Sequence, residues 1–145
     1  KTYGPDLELE GSWANGVRAK TSAAFQNARD VTGGDLVNSP NVLGKLNVSF
    51  PLPGDAIRAG FEGQYIGSRL TVDRRELGSV ALANLTFSSE RKWHGLSAIF
   101  SIKNLFDNEY EVASPFDWKA AATGATQDSL RMDGRTYWFQ LGYDF

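Results

Sequence analysis

The chain ends in the sequence TYWFQLGYDF, residues 136–145. Every second residue of this stretch is apolar, and these residues are Tyr137, Phe139, Leu141, Tyr143 and Phe145. Successive side chains of a β-strand point to opposite faces of the sheet. An apolar period of two therefore predicts a strand with one apolar side, whereas a helix would repeat its apolar residues every three to four positions.

The same period of two recurs in six segments upstream. They span residues 7–13, 17–25, 42–52, 57–65, 81–87 and 96–103. With the last segment they predict seven strands of roughly ten residues, which is longer than the five or six residues usual in globular sheets. No segment carries a sustained helical stripe, and no linker or low-complexity tract divides residues 1–145. The sequence therefore predicts an all-β, antiparallel protein in one unit.

The composition excludes several classes of protein. The 145 residues include no Cys, which excludes a disulfide scaffold, a thiolate metal site and a cysteine nucleophile. A formal net charge of −2 argues against nucleic acid as the main partner, since phosphate binding usually shows as a basic excess. The longest apolar run, residues 80–83, is far shorter than the roughly 20 residues of a transmembrane helix. Because the chain begins at Lys1, with neither an initiator Met nor a signal peptide, we expect a mature or truncated form.

Short and long connections alternate between the predicted strands. The short ones are the turn signals Asn15-Gly16 and Pro53-Gly54-Asp55 and the segment 90–95. The long ones are loops at about 27–40, 68–78 and 106–133. Alternate connections of a meander lie at the same end of the sheet, so the sequence predicts one rim of short turns and one rim of long loops.

Alternation alone leaves open which way the apolar face points. A β-sandwich or a soluble barrel hides that face inside, whereas an outer-membrane barrel turns it to lipid. Strand length and loop asymmetry match membrane barrels, and so does the presence of aromatic residues near both strand ends. Those near the short turns are Trp13, Phe50, Phe87, Tyr143 and Phe145, and those near the long loops are Phe25, Tyr65, Phe106 and Tyr137.

The opposite face of the predicted strands is charged. Its charged residues are Glu8, Glu10, Arg18, Lys20, Lys45, Arg58, Glu62 and Lys103. In a membrane barrel they would line a wet or plugged lumen. Strands in lipid must close into a ring, and bacterial barrels have an even number of at least eight strands. Seven strands therefore predict one arc of a larger barrel, or a barrel whose eighth strand is missing at the start.

Two motifs carry a resemblance to a known family. The stretch SIKNLFDNEY, residues 101–110, resembles the signature near the end of TonB-dependent outer-membrane receptors, and residues 134–145 resemble their last strand. Weaker similarities lie at residues 38–53, which include Asn38-Ser39-Pro40, and at residues 63–69. The similarity covers essentially the whole chain.

The resemblance implies a fold, a function and a set of partners. The family has a 22-stranded barrel with an N-terminal plug, and residues 1–145 would be its closing seven strands without the plug. The family imports scarce ligands such as ferric siderophores, haem or cobalamin across the Gram-negative outer membrane, driven through TonB. Implied partners are outer-membrane lipid and lipopolysaccharide, the plug and remaining strands, TonB through the missing N-terminus, the barrel-assembly machinery and a small metal chelate.

Few residues are candidates for a site. Arg69, Arg74 and Arg75 in the second long loop could bind an anionic chelate or a lipopolysaccharide phosphate; the alternative is a solvated loop with Asp73 and Glu76 as local partners. Trp118 in the third long loop could cover a ligand. Tyr143 and Phe145 resemble the signal that the assembly machinery recognises, although they could simply face lipid. Asn104 and Asp107 are interpreted as turn residues rather than ligands.

The sequence predicts no enzyme, no cofactor and no resident metal. The single His, His94, falls in a short turn on the rim opposite the long loops, and no glycine-rich phosphate loop or metal-ligand spacing occurs. Two alternatives to a transporter remain at this point. One is a small outer-membrane barrel with a structural or adhesion role, and the other is a soluble β-barrel that binds small ligands.

Overall fold

The computed structural model describes residues 1–90, 94–114 and 127–144, and these ranges contain only strands, turns and irregular segments. The strands are β1 (Thr2–Tyr3), β2 (Asp6–Ser12), β3 (Arg18–Phe25), β4 (Asn27–Ala28), β5 (Val42–Pro51), β6 (Ile57–Ile66), β7 (Arg69–Leu70), β8 (Glu76–Leu77), β9 (Val80–Ser89), β10 (Leu96–Lys103), β11 (Glu111–Ala113), β12 (Ser129–Arg131) and β13 (Thr136–Tyr143). No helix in these ranges is long and apolar enough to cross a membrane.

The seven long strands form one antiparallel sheet. Their order is β2-β3-β5-β6-β9-β10-β13, so each strand pairs with the next long strand along the chain. The prediction of seven strands in a meander is confirmed. The six short strands form three separate pairs, β1 with β4, β7 with β8 and β11 with β12, inside or beside the predicted long loops. Strands of two or three residues are too short to show a period of two, which is why the sequence predicted only loops there.

The register keeps the apolar residues of all seven strands on one face. One row of directly opposed residues crosses six strands, and it consists of Ala19, Val48, Phe61, Leu85, Ile102 and Tyr137. A neighbouring row on the other face runs through Lys20, Asn47, Glu62 and Asn84. The division into an apolar and a charged side, predicted strand by strand, therefore holds across the whole sheet.

The apolar face is open rather than packed against a second layer. Leu9 on β2 is 72% exposed and Leu141 on β13 is 63% exposed. On the same face, the Phe100 and Tyr137 rings stack on each other with centroids 6.5 Å apart. A sandwich or a soluble barrel would bury this face, and monomeric soluble proteins rarely expose so large an apolar patch. The exposure favours an apolar surrounding for this side.

Short turns join the strands at one rim, as predicted. The Gly16 N–H donates to the Trp13 carbonyl, and Gly16 adopts a φ of +80° that suits its lack of a side chain. The Leu52 N–H donates to the Ile57 carbonyl across the turn that contains Gly54. His94 is exposed in the third turn, as predicted for a turn residue, although residues 91–93 lie outside the described ranges.

The sheet has two open edges. β2 and β13 are its outermost strands, and within the described residues they pair with one neighbour each and not with each other. The described strands therefore form an open sheet rather than a closed ring. In lipid such a sheet would require further strands between these two edges, because unpaired backbone groups are not tolerated there.

We expect the two faces to respond oppositely to a new charge. Leu46 and Asn47 are neighbours near the middle of β5, and their side chains lie on the apolar and the charged face. Leu46→Arg should lower the free energy of unfolding in lipid vesicles by about 2–4 kcal/mol if it lies near the bilayer midplane. Asn47→Arg is the matched control; it lies between Lys20 and Glu62 and should change stability little. Equal losses for both variants in urea titrations would contradict a lipid-facing Leu46.

Candidate functional site in the long loops

Three long loops meet at the rim opposite the short turns. The first (residues 26–41) follows β3, the second (67–79) follows β6 and the third (104–135) follows β10. The second lies between the other two and contacts both. The Asn38 N–H donates to the Leu70 carbonyl at 2.8 Å, which joins the first loop to the second by main-chain atoms.

Arg74 ties the second loop to the first. Its Nη1 donates to the Asp35 carbonyl at 2.6 Å, and its Nη2 donates to Asp30 Oδ2 at 3.2 Å. Asp30 Oδ1 also accepts bonds from the Thr32 hydroxyl and from the Thr32 and Gly34 N–H groups. These donors, the Thr32 hydroxyl above all, lower the pKa of Asp30 to about 2. The carboxylate is therefore ionised and holds the turn together.

Arg75 ties the second loop to the third. Its guanidinium binds both oxygens of Asp128 at 3.1 Å and reaches Glu111 Oε2 at 3.0 Å and Ser129 Oγ at 2.6 Å. Arg75 first, and then the Thr71 hydroxyl, lowers the pKa of Asp128. The Ser129 hydroxyl and Arg75 lower the pKa of Glu111, and the two carboxylates raise the pKa of Arg75. All three groups are thus charged and mutually paired.

Arg69 also points to the third loop, but it is buried. Its side chain is packed into the protein, with 6% of the residue exposed, and Nη2 donates to the Glu111 main-chain carbonyl at 2.8 Å. Arg69 pairs with Leu77 in the small β7–β8 ladder, and both residues are buried. The second loop is therefore a hairpin that packs against β11.

The three arginines proposed as ligand-binding residues lie together in one hairpin but serve different neighbours. Arg74 binds the first loop, and Arg69 and Arg75 bind the third. The side-chain partners of Arg75 are 36 to 54 residues away, and Asp30 is 44 residues away from Arg74. No local pattern in the sequence could indicate these pairs. Trp118, the fourth proposed ligand residue, lies outside the described residues.

The NLFDN motif builds the turn that leads from β10 into the third loop. Asn104 adopts a φ of +51° and exchanges two hydrogen bonds with the Asn108 main chain, through Nδ2 at 2.9 Å and Oδ1 at 3.0 Å. Asp107 Oδ1 accepts the Arg135 N–H at 2.6 Å, next to the start of β13. The Asn108 side chain donates to the Ala81 carbonyl at 2.7 Å. The interpretation of Asn104 and Asp107 as turn residues is confirmed.

A side chain of β9 connects this turn to the charged face of the sheet. Asn84 Oδ1 accepts the Asn104 N–H at 2.9 Å, and Asn84 Nδ2 donates to Glu62 Oε2 at 3.1 Å. The network runs from the charged face to the rim of long loops. Sequence reasoning missed Asn84 because an isolated Asn on a polar strand face is not a distinctive signal.

In the residues that the structure describes, no three His, Cys, Asp or Glu side chains come together in a way that could hold a metal ion. Two acids of the third loop, Glu111 and Asp128, are both bound to Arg75. The loop rim is thus a hydrogen-bonded surface of paired charges.

The fold is shared with outer-membrane receptors of known structure. The ferripyoverdine receptor of the outer membrane of Pseudomonas aeruginosa, bound to ferripyoverdine, matches with a TM-score of 0.77 at 20% identity, over 99% of this chain and 19% of that chain. The FpvAI–pyocin S2 complex matches with a TM-score of 0.78 at 21% identity and the same coverage. The copper transporter OprC matches with a TM-score of 0.73 at 14% identity, over 99% of this chain and 23% of that chain. No protein-family model matches the sequence, and neither does any curated protein.

The sheet therefore has the fold of an arc of the β-barrel of these proteins. More particularly, it has the fold of part of a TonB-dependent receptor barrel, as the motif resemblance indicated. The chain spans about a fifth of the length of these receptors. At 14 to 21% identity the likeness defines the fold, and the neighbours' different ligands do not assign one to this chain.

We expect Asn104 to tolerate Gly better than Ala. Asn104→Gly removes the two side-chain bonds to Asn108 and should cost about 1–3 kcal/mol. Asn104→Ala removes the same bonds and also places a Cβ at positive φ, which should cost about 1 kcal/mol more. Urea unfolding of both variants in lipid vesicles measures the difference. A less stable Gly variant would contradict the assigned role of the backbone conformation.

We expect the Asp30 carboxylate to titrate near pH 2. Because its pKa is lower in the folded loop than its ordinary value of 3.8, the turn gains stability above about pH 3.8 and loses it as the pH falls towards 2. The side-chain carboxyl chemical shift, followed by NMR against pH, measures the midpoint. Thr32→Ala should raise that midpoint more than Arg74→Gln, because the Thr32 hydroxyl is the largest cause. A wild-type midpoint at or above 3.8 would contradict this geometry.

Proposed function

We propose that residues 1–145 form the C-terminal part of the barrel of a TonB-dependent receptor, which takes up a scarce ligand such as a ferric siderophore across the outer membrane of a Gram-negative bacterium. The observation that carries this proposal is the apolar face shared by all seven strands of a receptor-like sheet, on which residues such as Leu9, Leu46 and Leu141 are exposed. The two C-terminal motifs and the shared fold support it.

The two faces of the sheet have different tasks in this proposal. The apolar face contacts outer-membrane lipid. The charged face lines the lumen and meets the plug, which belongs to the missing N-terminal part of the same protein. A depression on that face is lined by Glu10, Arg18, Lys20, Asn47 and Glu62 among others, and Lys20 is paired with Glu8 at 2.7 Å. Charged groups of this kind suit a wet, protein-facing surface and not lipid.

The long loops capture the ligand in this proposal. Arg69, Arg74, Arg75 and Trp118 are the proposed contacts for a metal chelate or for lipopolysaccharide. Of these, Arg74 and Arg75 already hold carboxylates of neighbouring loops, so their first task is to fix the shape of the rim. The chain carries out no catalysis; it binds ligand, and TonB supplies the energy for transport through the N-terminal part of the protein.

The C-terminal strand has a further proposed partner. Tyr143 lies at the end of β13, opposite Leu96, and is exposed on the apolar face. We propose that the barrel-assembly machinery recognises Tyr143 and Phe145 before the barrel closes. Phe145 lies outside the described residues. An edge strand with free backbone groups is a suitable template for such a contact.

The proposal predicts an outer-membrane protein several times longer than this chain. We expect it in the outer-membrane fraction, with a gel mobility that changes between unheated and heated samples. We also expect its loss to reduce uptake of a metal chelate, and inactivation of TonB to reduce uptake equally. The matched control is the same measurement in a strain without the gene, where TonB inactivation should have no further effect on this uptake.

Two results would contradict the proposal. A signal peptide encoded directly before Lys1, in place of a plug, would favour the small structural or adhesive outer-membrane barrel. A soluble protein without a heat-dependent gel shift would favour the soluble ligand-binding barrel. Uptake that does not depend on TonB would be consistent with the proposed barrel but would contradict its energy coupling through TonB.

A further inference from the structure

Glu62 is a half-buried carboxylate near the middle of the charged face. It lies directly opposite Asn47 on β5 and Asn84 on β9. Asn84 Nδ2 donates to Glu62 Oε2 at 3.1 Å, and within the described ranges Glu62 forms no ion pair. Its second oxygen, Oε1, can therefore accept a further donor. A cationic donor would stabilise it most, because charge-assisted hydrogen bonds are about twice as strong as neutral ones.

The cations of the charged face do not supply that donor. Two of them already bind an acid of their own, and these pairs are Lys20 with Glu8 at 2.7 Å and Arg58 with Glu90 at 2.6 Å. Lys45 and Lys103 also lie on this face, but in the described part of the chain neither forms an ion pair with Glu62. A cation for Glu62 would have to come from another segment.

A glycine keeps the sheet open next to Glu62. Gly60, two residues earlier on the same face, borders with Glu62 a depression of about 290 Å³. The φ of Gly60 is not positive, and a Cβ there would meet only Thr86, at an ordinary contact distance of 3.8 Å. The packing of the described residues therefore does not require glycine. Glycine weakens a strand, and inside one it often marks a place where another backbone approaches closely.

The charges around the depression fit a polypeptide better than a simple ion. Arg18 borders it on the β3 side and, like Glu62, forms no ion pair among the residues described. Glu10 and Lys20, which also border it, lie directly opposite each other. A segment with a basic side chain towards Glu62 and an acidic one towards Arg18 complements both unpaired charges, whereas a phosphate or a polyamine complements only one.

Asn84 connects Glu62 to the turn that begins the third long loop. Asn84 Oδ1 accepts the Asn104 main-chain N–H at 2.9 Å. Because that N–H can only donate, the bond fixes the orientation of the Asn84 amide and leaves Nδ2 to face Glu62. The Asn104 side chain in turn holds the Asn108 main chain. The Glu62 carboxylate is therefore two hydrogen bonds away from the main chain of this turn.

We propose that a segment of the plug docks in the depression with a basic side chain on Glu62, and that the docked plug stabilises the third-loop turn through Asn84. This rests on the proposed function, in which the plug fills the lumen on the charged side. A cation at Oε1 holds the carboxylate, the carboxylate holds the Asn84 amide, and the amide protects the Asn104 N–H. Asn84 is thus a positioning residue, and the plug acts on an outer loop that it does not contact at this turn.

The first measurement tests docking in the whole protein that carries this chain, purified in detergent and free of other cysteines. Asn47→Cys places a thiol at an exposed position directly opposite Glu62. We expect this thiol to react with a maleimide far more slowly in the folded protein than in urea. Glu62→Gln should raise the folded-state rate about tenfold, because it removes a hydrogen bond between charged groups.

The second measurement tests the coupling through the hydrogen exchange of the Asn104 N–H. Gly60→Val fills the depression without removing a side chain, and valine favours strands more than glycine does. It should nevertheless speed both this exchange and the thiol reaction, because the docked segment no longer fits. The matched control is Gly44→Val on the apolar face of β5, where a Cβ would meet only Tyr65, at 3.6 Å. This control should leave both rates unchanged.

Asn84→Ala separates the two steps. It removes the link between Glu62 and the turn but keeps the carboxylate and the depression. We expect faster exchange of the Asn104 N–H together with a thiol that stays shielded.

Three results would overturn the proposal. A thiol as reactive in the folded protein as in urea would show an empty depression, or a mobile cation too small to shield it. A shielded thiol that Gly60→Val does not release would show only restricted access to the lumen. A released thiol with unchanged Asn104 exchange in Gly60→Val would show docking without coupling. Each leaves the proposed transport function intact, since outer-membrane location and TonB-dependent uptake decide that.

Discussion

The structure depends on one constraint, the alternation of apolar and polar residues along every long strand, here called the parity of the strand. Each long strand keeps its apolar residues at every second position, and antiparallel pairing passes that parity from one strand to the next. A slip of one residue at a single pairing would turn the apolar set of that strand to the charged side. The row from Ala19 through Phe61 to Tyr137 shows that no such slip occurs among the six strands it crosses. Backbone pairing and the separation of the apolar face from the charged face are therefore one requirement.

This constraint explains why the seven-stranded sheet, here called the wall, could be predicted from the sequence, whereas the packing of the long loops at the rim could not. A period of two is a local signal, and it gave the seven strands, the two faces and the short turns. The turn role of Asn104 was also predictable, because its side chain binds the main chain only four residues away. The bond from the Arg135 N–H to Asp107 spans 28 residues and was not. In contrast, the bond from Arg75 to Asp128 joins irregular segments 53 residues apart. Such contacts depend on how loops pack in space, and no periodic pattern records them.

The loop rim adds a second kind of interaction to main-chain pairing. Main-chain ladders join the long strands, whereas the loops combine short ladders with side-chain ion pairs, from Arg74 to the first loop and from Arg75 to the third. Exposed ion pairs contribute little one by one, but Arg75 binds two carboxylates and a hydroxyl at once, and bidentate pairing of this kind fixes geometry. These charged contacts therefore act together with the buried Leu77 and Ala113 in giving the loops a defined shape.

The separation of wall from rim also accounts for the pattern of similarity to known receptors. A wall that requires only apolar and polar residues in alternation tolerates extensive substitution, and TM-scores of 0.73 to 0.78 accordingly persist at 14 to 21% identity. Ligand chemistry is not subject to that constraint, since the neighbours include a ferripyoverdine receptor and a copper transporter on the same fold. Differences in ligand must then arise in segments whose side chains are free to vary without breaking parity. In this chain the segments free to vary in this way are the long loops, where an arginine such as Arg69 is buried against a neighbouring loop without disturbing the register of any long strand.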